Sequence, residues 1–436
     1  MFLKEVLVNK YSIKEEVVDR VISCLPDVYK TGELDDTMLD MLDTAIKSIL
    51  TSTSTTSVED KYYDPDYFYE DYEGKLRFKN DSPAGKVPQP IGYIDYSSMF
   101  ERCYSSNVYD ISEWDVSNVS NMSKMFNWCG IKSFGDLSAW NVSNVTNMYE
   151  MFAYCYVESF GDLSNWSVSN VTNMCGMFAN CKVKSFGDLS NWDVSNVTNM
   201  AYMFYDCQVK SFGDLSNWSV SNVTNMMYMF SWCEVESFGD LFKWNVSNVN
   251  AMQGMFSYCK VNSFGDLAHW DVSNVTSMLC MFEGCETQSF GDLANWDVSN
   301  VTTMSCMFQE CVTPYFGDLS EWDVFNVTKT DEIFHNCKVE SFGDLSNWNV
   351  SNVNDMRSMF RGCEVKSFGH LSNWNVSNVT SMCQMFDHCK TESFGDLSNW
   401  DVSNVIDMEH LFKGCKVKSF GDLSNWKPKC QMPTFK

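Results

Sequence analysis

The chain has 436 residues and a formal net charge of −26, because 57 Asp and Glu residues outnumber 31 Lys and Arg residues. An acidic surface repels nucleic acid and anionic membranes, so neither is expected as a partner. No apolar run is long enough to cross a bilayer, which predicts no membrane insertion. The first residues, MFLKEVLVNKYSIKEE, lack the pattern of a signal peptide, so we expect an intracellular protein.

Residues 1–57 are predicted to form a small helical unit. SIKE at residues 12–15 is a capping-box pattern, and the apolar residues after it recur at helical spacing until Pro26. A second amphipathic stretch runs from Met38 to Leu50. Two short helices are marginal alone, so this unit is expected to dock on the rest of the chain or on a partner.

Residues 58–98 are an acidic, Tyr-rich connector, for which the sequence leaves two interpretations open. One is a solvated spacer, and the other is a docking strip whose rings anchor the chain on a basic partner. The rings of the predicted strip are Tyr62, Tyr63, Tyr67, Phe68, Tyr69 and Tyr72.

Residues 99–436 consist of tandem repeats. Trp recurs every 26 residues from Trp114 to Trp426, without insertion or deletion. A fixed period of this length is typical of a stacked repeat protein, or solenoid. The first unit lacks the SFGDL segment of later copies, and the truncated last unit contains Pro428 and Pro433. Both departures are typical of terminal caps.

One copy illustrates the predicted strand of each repeat. Leu189, Trp192 and Val194 have the L-x-x-W-x-V spacing, which matches the core of a leucine-rich repeat. Trp192 and Val194 are two residues apart, so a short strand would direct both inward. Stacking Trp on Trp between layers would then supply stability that no single repeat has.

The second half of each copy is predicted to be a short helical turn. Met200, Met203 and Phe204 recur at steps near three, which suits one or two turns of α or 3₁₀ helix. Gly213 and Asp214 then turn the chain toward the next strand.

Thirteen of the 19 cysteines form a ladder with the same 26-residue step, from Cys103 to Cys415. No CxxC pair or zinc-type Cys/His cluster is present, so these thiols are predicted to be small buried apolar groups. Disulfides between layers remain an alternative for an oxidising compartment.

The Asp of the FGDL segment also recurs, with His370 as a substitution. Stacked carboxylates repel one another, so each either accepts backbone hydrogen bonds or shares a cation. Calcium needs several oxygen ligands and each turn offers one carboxylate, which favours a turn cap. No metal or other cofactor is expected.

The residues between Met and Phe vary from copy to copy, and they change from aromatic in early copies to charged in later ones. Partly exposed rings on one side of the array predict a face that binds other proteins. Local packing between adjacent turns is an equal alternative. The predicted partner-binding residues are Trp128, Tyr149, Tyr154, Tyr202, Tyr205, Tyr228, Trp232 and Tyr258.

Catalysis finds little support in the sequence. The five histidines share no repeat position and form no local pattern with a nucleophile, and no Gly-rich phosphate loop is present. A non-enzymatic protein is therefore predicted.

The motif W-[DNS]-V-S-N-V-x-x-M-x-x-M-F-x-x-C extends from residue 99 to 426 and resembles the BspA-like leucine-rich repeat of the mycoplasma type. We expect an α/β repeat fold, a right-handed leucine-rich-repeat solenoid of about 12 layers with short strands and short helical or 3₁₀ turns. Such repeats are associated with bacterial surface adhesins and with expanded families of giant DNA viruses. The resemblance implies a protein-binding or structural scaffold in the host cytoplasm or assembled in a virion. A cell-surface adhesin is the alternative.

Overall fold

The computed structural model describes residues 61–417 and 419–433. The helical unit predicted at residues 1–57 lies outside the described residues. Four short strands open the described part: β1 (Phe68–Glu70), β2 (Leu76–Phe78), β3 (Gly85–Lys86) and β4 (Tyr109–Asp110). Strands β1 and β2 form an antiparallel hairpin, and β3 pairs with β4 in parallel.

The β1–β2 hairpin covers the N-terminal end of the repeat core. Phe68 is fully buried, and its ring centroid lies 5.6 Å from that of Phe78 and 6.1 Å from that of Trp114. A parallel bridge from Asp95 to Asn121 then brings the connector into register with the repeats. The hairpin therefore shields apolar side chains that an open end would expose to water.

Parallel bridges connect residues that are one period apart. They run from Asn121–Asn147 through successive layers to Ser381–Asp407. A second row of bridges begins at Glu234–Lys260 and reaches Val312–Lys338. The chain thus returns to the same position every 26 residues and stacks each copy on the previous one.

The segment predicted as a strand contains a 3₁₀ turn instead. Leu189–Asn191 is such a turn, and Trp192 follows it in an extended conformation with φ −65° and ψ 126°. The strand prediction was wrong because the Asp188 side chain accepts the Ser190 N–H and starts a turn at Leu189. The 3₁₀ turns of the described part are Leu163–Asn165, Leu189–Asn191, Leu215–Asn217, Leu241–Lys243, Leu267–His269, Leu293–Asn295, Leu319–Glu321, Leu345–Asn347, Leu371–Asn373 and Leu423–Asn425.

The Met–Phe segment, predicted as helical, consists of two consecutive β-turns. The Met203 N–H donates to the Met200 carbonyl at 3.2 Å, and Cys207 donates to Phe204 at 3.1 Å. The third residue of each turn has positive φ, +56° at Tyr202, a left-handed conformation that a helix excludes.

Intervening N–H groups of this segment donate to the next layer. The Met200 N–H bonds to the Asn225 carbonyl at 2.9 Å, and the Phe204 N–H bonds to the Met229 carbonyl at 3.0 Å. Backbone groups that a helix would pair within one layer therefore connect adjacent layers.

The inward columns of Leu, Trp, Val, Met and Phe form one continuous core, as the repeat pattern predicted. The Phe178 and Phe204 rings stack with centroids 5.7 Å apart. Each indole also has a polar partner, because Trp192 Nε1 donates to the Leu163 carbonyl at 3.0 Å. Satisfying that donor lets a large ring be buried without an unpaired polar group.

Most ladder cysteines lie in the same core and carry free thiols. Burial raises the pKa of the Cys181 thiol to about 12. The predicted burial of the ladder is confirmed, apart from the partly exposed last member, Cys415.

Candidate protein-binding face

Four positions per layer differ between copies and lie at the two turns of the Met–Phe segment. In one layer they are Ala201, Tyr202, Tyr205 and Asp206. The third residue of each turn has positive φ, as at Tyr202 and Asp206. Because every layer repeats this geometry, side chains at equivalent positions form columns along the stack.

Six of the predicted partner-binding residues form three stacked ring pairs. Their centroid separations are 4.3, 5.2 and 4.4 Å, and their interplanar angles are 7°, 18° and 19°. Offset-stacked rings at such distances attract one another beyond the surface that they bury. The pairs are Trp128–Tyr154, Tyr202–Tyr228 and Trp232–Tyr258.

The remaining two predicted residues have different surroundings. Tyr205 packs edge-on against Tyr202, with centroids 5.7 Å apart. Tyr149 lies beside Lys124, whose Nζ is 5.3 Å from the ring centroid. A hydrogen bond with Glu150, together with burial, raises the pKa of the Tyr149 hydroxyl. Seven of the eight predicted residues thus form ring clusters, which we call the aromatic turn face: Trp128, Tyr154, Tyr202, Tyr205, Tyr228, Trp232 and Tyr258.

Three rings of the aromatic turn face remain substantially exposed. Trp232 is 51% exposed, Trp128 39% and Tyr202 37%. The others are half-buried, partly because their stacking partners cover them. The face therefore combines local packing between turns with apolar surface open to a partner.

In two of the stacked pairs, one ring also packs against a glycine of the next layer, a contact that the sequence analysis did not predict. The Tyr228 ring lies over Gly254, and the Tyr258 ring lies over Gly284. A Cβ atom at either glycine would overlap the adjacent ring. The sequence feature that could have predicted this contact is the Gly that follows each of these two Tyr residues by one period.

The predicted docking strip is mostly part of the N-terminal cap. Tyr62 and Phe68 are buried, so they do not face a partner, and their expected exposure was wrong. Tyr63 and Tyr67 are half-buried against the cap core. The rings left exposed are Tyr69 and Tyr72, and Tyr72 is 96% exposed.

Charged residues occupy the turn positions of later layers and pair with one another. Arg357 contacts Asp355 at 2.8 Å, and Arg361 contacts the buried carboxylate of Asp387 at 3.2 Å. His388 Nδ1 lies 2.6 Å from the other oxygen of Asp387. In later layers, charged side chains therefore lie at the turn positions that carry aromatic rings in earlier layers.

The recurring Asp of the FGDL segment caps the 3₁₀ turn. Asp188 Oδ1 accepts the Ser190 N–H at 3.0 Å, whereas His370 makes no such bond. Within residues 61–417 and 419–433, no three His, Cys, Asp or Glu side chains are arranged to hold a metal ion. The hydrogen bond from the cap N–H recurs at the Asp residues that precede the 3₁₀ turns, which confirms the turn-cap interpretation that the sequence favoured.

A constant core, parallel bridges every 26 residues and variable turn positions define a stacked tandem-repeat protein. A profile of the family described as Mycoplasma protein of unknown function, DUF285, matches residues 94–212, 156–263, 234–341, 258–369 and 333–432. These overlapping matches cover most of the chain, which belongs to this family. No curated protein and no solved structure matches the chain. Among the described residues, no helix is long and apolar enough to span a membrane.

Proposed function

We propose that this protein is a non-enzymatic scaffold that binds other proteins through the aromatic turn face. The observation that carries the proposal is the combination of a nearly constant frame with exposed rings at variable positions. Trp and Tyr are enriched at protein interfaces because they bury much apolar surface at little conformational cost. The exposed rings of Trp128, Tyr202 and Trp232 supply such anchors.

The proposed architecture is a right-handed leucine-rich-repeat solenoid of the BspA-like type with about 12 layers. The 26-residue period, the regular 3₁₀ turns and the rows of parallel bridges support a stack of this kind. An experimental structure tests the proposal, because a left-handed path from layer to layer would contradict it.

An affinity-capture experiment tests the binding face. A triple variant with Trp128→Ser, Tyr202→Ser and Trp232→Ser is compared with the wild type as bait in extracts of the native source. The expected result is the loss of at least one specifically captured protein. A matched control carries Glu310→Ser, Arg357→Ser and His388→Ser, which are exposed residues of the charged layers. An unchanged capture profile with a folded triple variant would contradict binding through these rings.

The proposed location is the host cytoplasm or a virion in which the scaffold is assembled, and the alternative is a cell-surface adhesin. Asn side chains at N-x-S/T sequences support the intracellular proposal, since Asn196 Nδ2 donates to the Ser169 carbonyl at 2.7 Å. A glycan there would replace one of the two hydrogens of that nitrogen and place a bulky group beside the interlayer bond. Intact-mass measurement of the native protein tests the location, because attached glycans would favour the adhesin. Proteomics of purified particles tests the virion proposal, and the protein's absence from them would contradict it.

A further inference from the structure

Two cysteines outside the ladder, Cys280 and Cys306, occupy the same turn position in adjacent layers. Their φ angles are +56° and +57°. The Cys280 N–H donates to the Ser305 carbonyl at 2.9 Å, immediately before Cys306. Parallel bridges at Ser277–Thr303 and Glu286–Val312 fix the register on both sides of the pair. The two side chains therefore leave the backbone one directly above the other.

The spacing of the two layers is compatible with a disulfide. Paired strands lie about 4.8 Å apart, and the Cα atoms of a disulfide are usually about 4.4–6.8 Å apart. The Cβ atoms of a disulfide lie about 3.5–4.5 Å apart, so this turn must contract slightly when the bond forms. The turn lies at the surface, where such a movement disturbs little of the core.

Exposure distinguishes this pair from the ladder cysteines. Cys285 and Cys311 belong to the same two layers and also lie one period apart, but both are fully buried. Cys280 and Cys306 are partly exposed. An oxidant in solution therefore reaches the pair more readily than it reaches the ladder.

We propose that Cys280 and Cys306 form a reversible disulfide between layers, with a small disulfide such as oxidised glutathione as the oxidant. One protein thiolate attacks a glutathione sulfur, which forms a mixed disulfide and releases one glutathione thiolate. The second protein thiolate then attacks the protein sulfur of the mixed disulfide and releases the other glutathione thiolate. The protein thiols lose two electrons and two protons, and oxidised glutathione becomes two molecules of reduced glutathione.

The surroundings of the pair determine how its reaction rate depends on pH. The contact with the Cys306 thiol, followed by burial and the nearby Glu283 carboxylate, raises the pKa of the Cys280 thiol well above its usual range. Tyr228 and Tyr258 also interact electrostatically with Cys280. Since the thiolate is the attacking form, attack by Cys280 is slow at neutral pH and becomes faster as the pH rises.

The test is equilibration of the folded full-length chain with excess oxidised glutathione at mildly alkaline pH. The reaction is followed by thiol alkylation and peptide mapping. The expected product is a Cys280–Cys306 cross-link that has lost two hydrogens, with the buried ladder thiols still free. Reduction with excess dithiol should restore both thiols. Cys175 is the internal control, since it is partly exposed but Tyr149 and Ala201 occupy its position in the adjacent layers.

Single variants test whether the two cysteines react as a pair. In Cys280→Ser, Cys306 should accumulate as a mixed disulfide with glutathione because the resolving thiol is absent. Cys306→Ser should trap Cys280 in the same way. Ser358 occupies this turn position in another layer with φ +51°, so serine fits the backbone, and circular dichroism verifies folding. Separate glutathione adducts on both cysteines of the wild type, or two free thiols at equilibrium, would overturn the proposal.

Discussion

At the residue scale, one Asp and one Gly from adjacent layers act together. Asp188 caps its own 3₁₀ turn, and its carboxylate lies against Gly213 of the next layer. A Cβ atom at Gly213 would overlap the Asp188 oxygen, and the φ of +86° also favours glycine. The recurring Gly-Asp pair therefore satisfies a backbone N–H and leaves room for the side chain that does so.

The layer with His370 provides a direct test of the cap. We predict that His370→Asp increases the free energy of unfolding by about 1 kcal/mol, because a carboxylate here can accept the uncapped Ser372 N–H. His370 already has the φ and ψ of the capping residues, so the backbone needs no change. Urea denaturation monitored by circular dichroism measures the difference. The matched control, Asp344→Ala, should have a free energy of unfolding that is lower by a similar amount. Equal midpoints for wild type and both variants would contradict the capping role.

The Tyr258 ring lies close to Gly284 in the next layer. Gly284→Ala should lower the free energy of unfolding by about 1–3 kcal/mol, because the added Cβ overlaps the Tyr258 ring. The loss should be about 1 kcal/mol smaller in a Tyr258→Ser background, where the ring is absent. A double-mutant cycle in urea measures this coupling. Equal losses in the two backgrounds would show that the backbone angle, rather than the ring, makes glycine necessary.

At the element scale, an Asp residue caps most of the 3₁₀ turns and makes them sensitive to pH. A hydrogen bond from the Ser164 N–H lowers the pKa of Asp162, and Ser216 acts in the same way on Asp214. A lowered carboxyl pKa contributes stability that is present above the unfolded-state value of about 3.9. This contribution disappears as the pH falls through the lower folded-state pKa.

We therefore predict that acid weakens the array through its turn caps. Replacing Asp162, Asp214 and Asp344 together with Asn keeps an acceptor oxygen at each cap but removes the titrating group. The wild type should lose more stability than this variant when the pH falls from about 7 to about 3. Urea midpoints at both pH values measure the effect, and the comparison also controls for the change in overall charge. Parallel pH profiles would exclude the caps as the source.

The sequence predicted the inward side of each element better than its backbone conformation. The burial of Leu189, Trp192 and Val194 follows from their spacing, and the structure confirms it. The same residues cannot distinguish a strand from a 3₁₀ turn followed by an extended residue, because both place Trp192 and Val194 inward. The β-turns that begin at Met200 could not be predicted either, because a left-handed conformation is unusual for a bulky residue such as Tyr202.

At the scale of the whole molecule, the candidate site was predictable as a set of residues but not as an arrangement. A 26-residue period places Trp128 and Tyr154 at equivalent positions, so the column follows from the sequence. Whether two rings stack depends on the direction in which each side chain leaves its turn. That direction follows from positive φ angles such as +54° at Trp128, which the spacing alone did not indicate.

Because the layers share one period and one core, we predict that a single layer can be removed without loss of the fold. Deletion of residues 167–192 joins Trp166 to Asp193 and restores the motif LSNWDVSNV without changing the register. Contacts in a repeat stack are mainly between neighbours, so the shortened chain should fold. At about 0.05–0.15 kcal/mol per residue, its free energy of unfolding should fall by about 1–4 kcal/mol.

A control that lacks residues 167–179 breaks the register and should not fold cooperatively. Circular dichroism, size-exclusion chromatography and urea denaturation compare the two chains. Cooperative folding of the half-period deletion, or failure of the full-period deletion to fold, would contradict a structure built from interchangeable 26-residue layers.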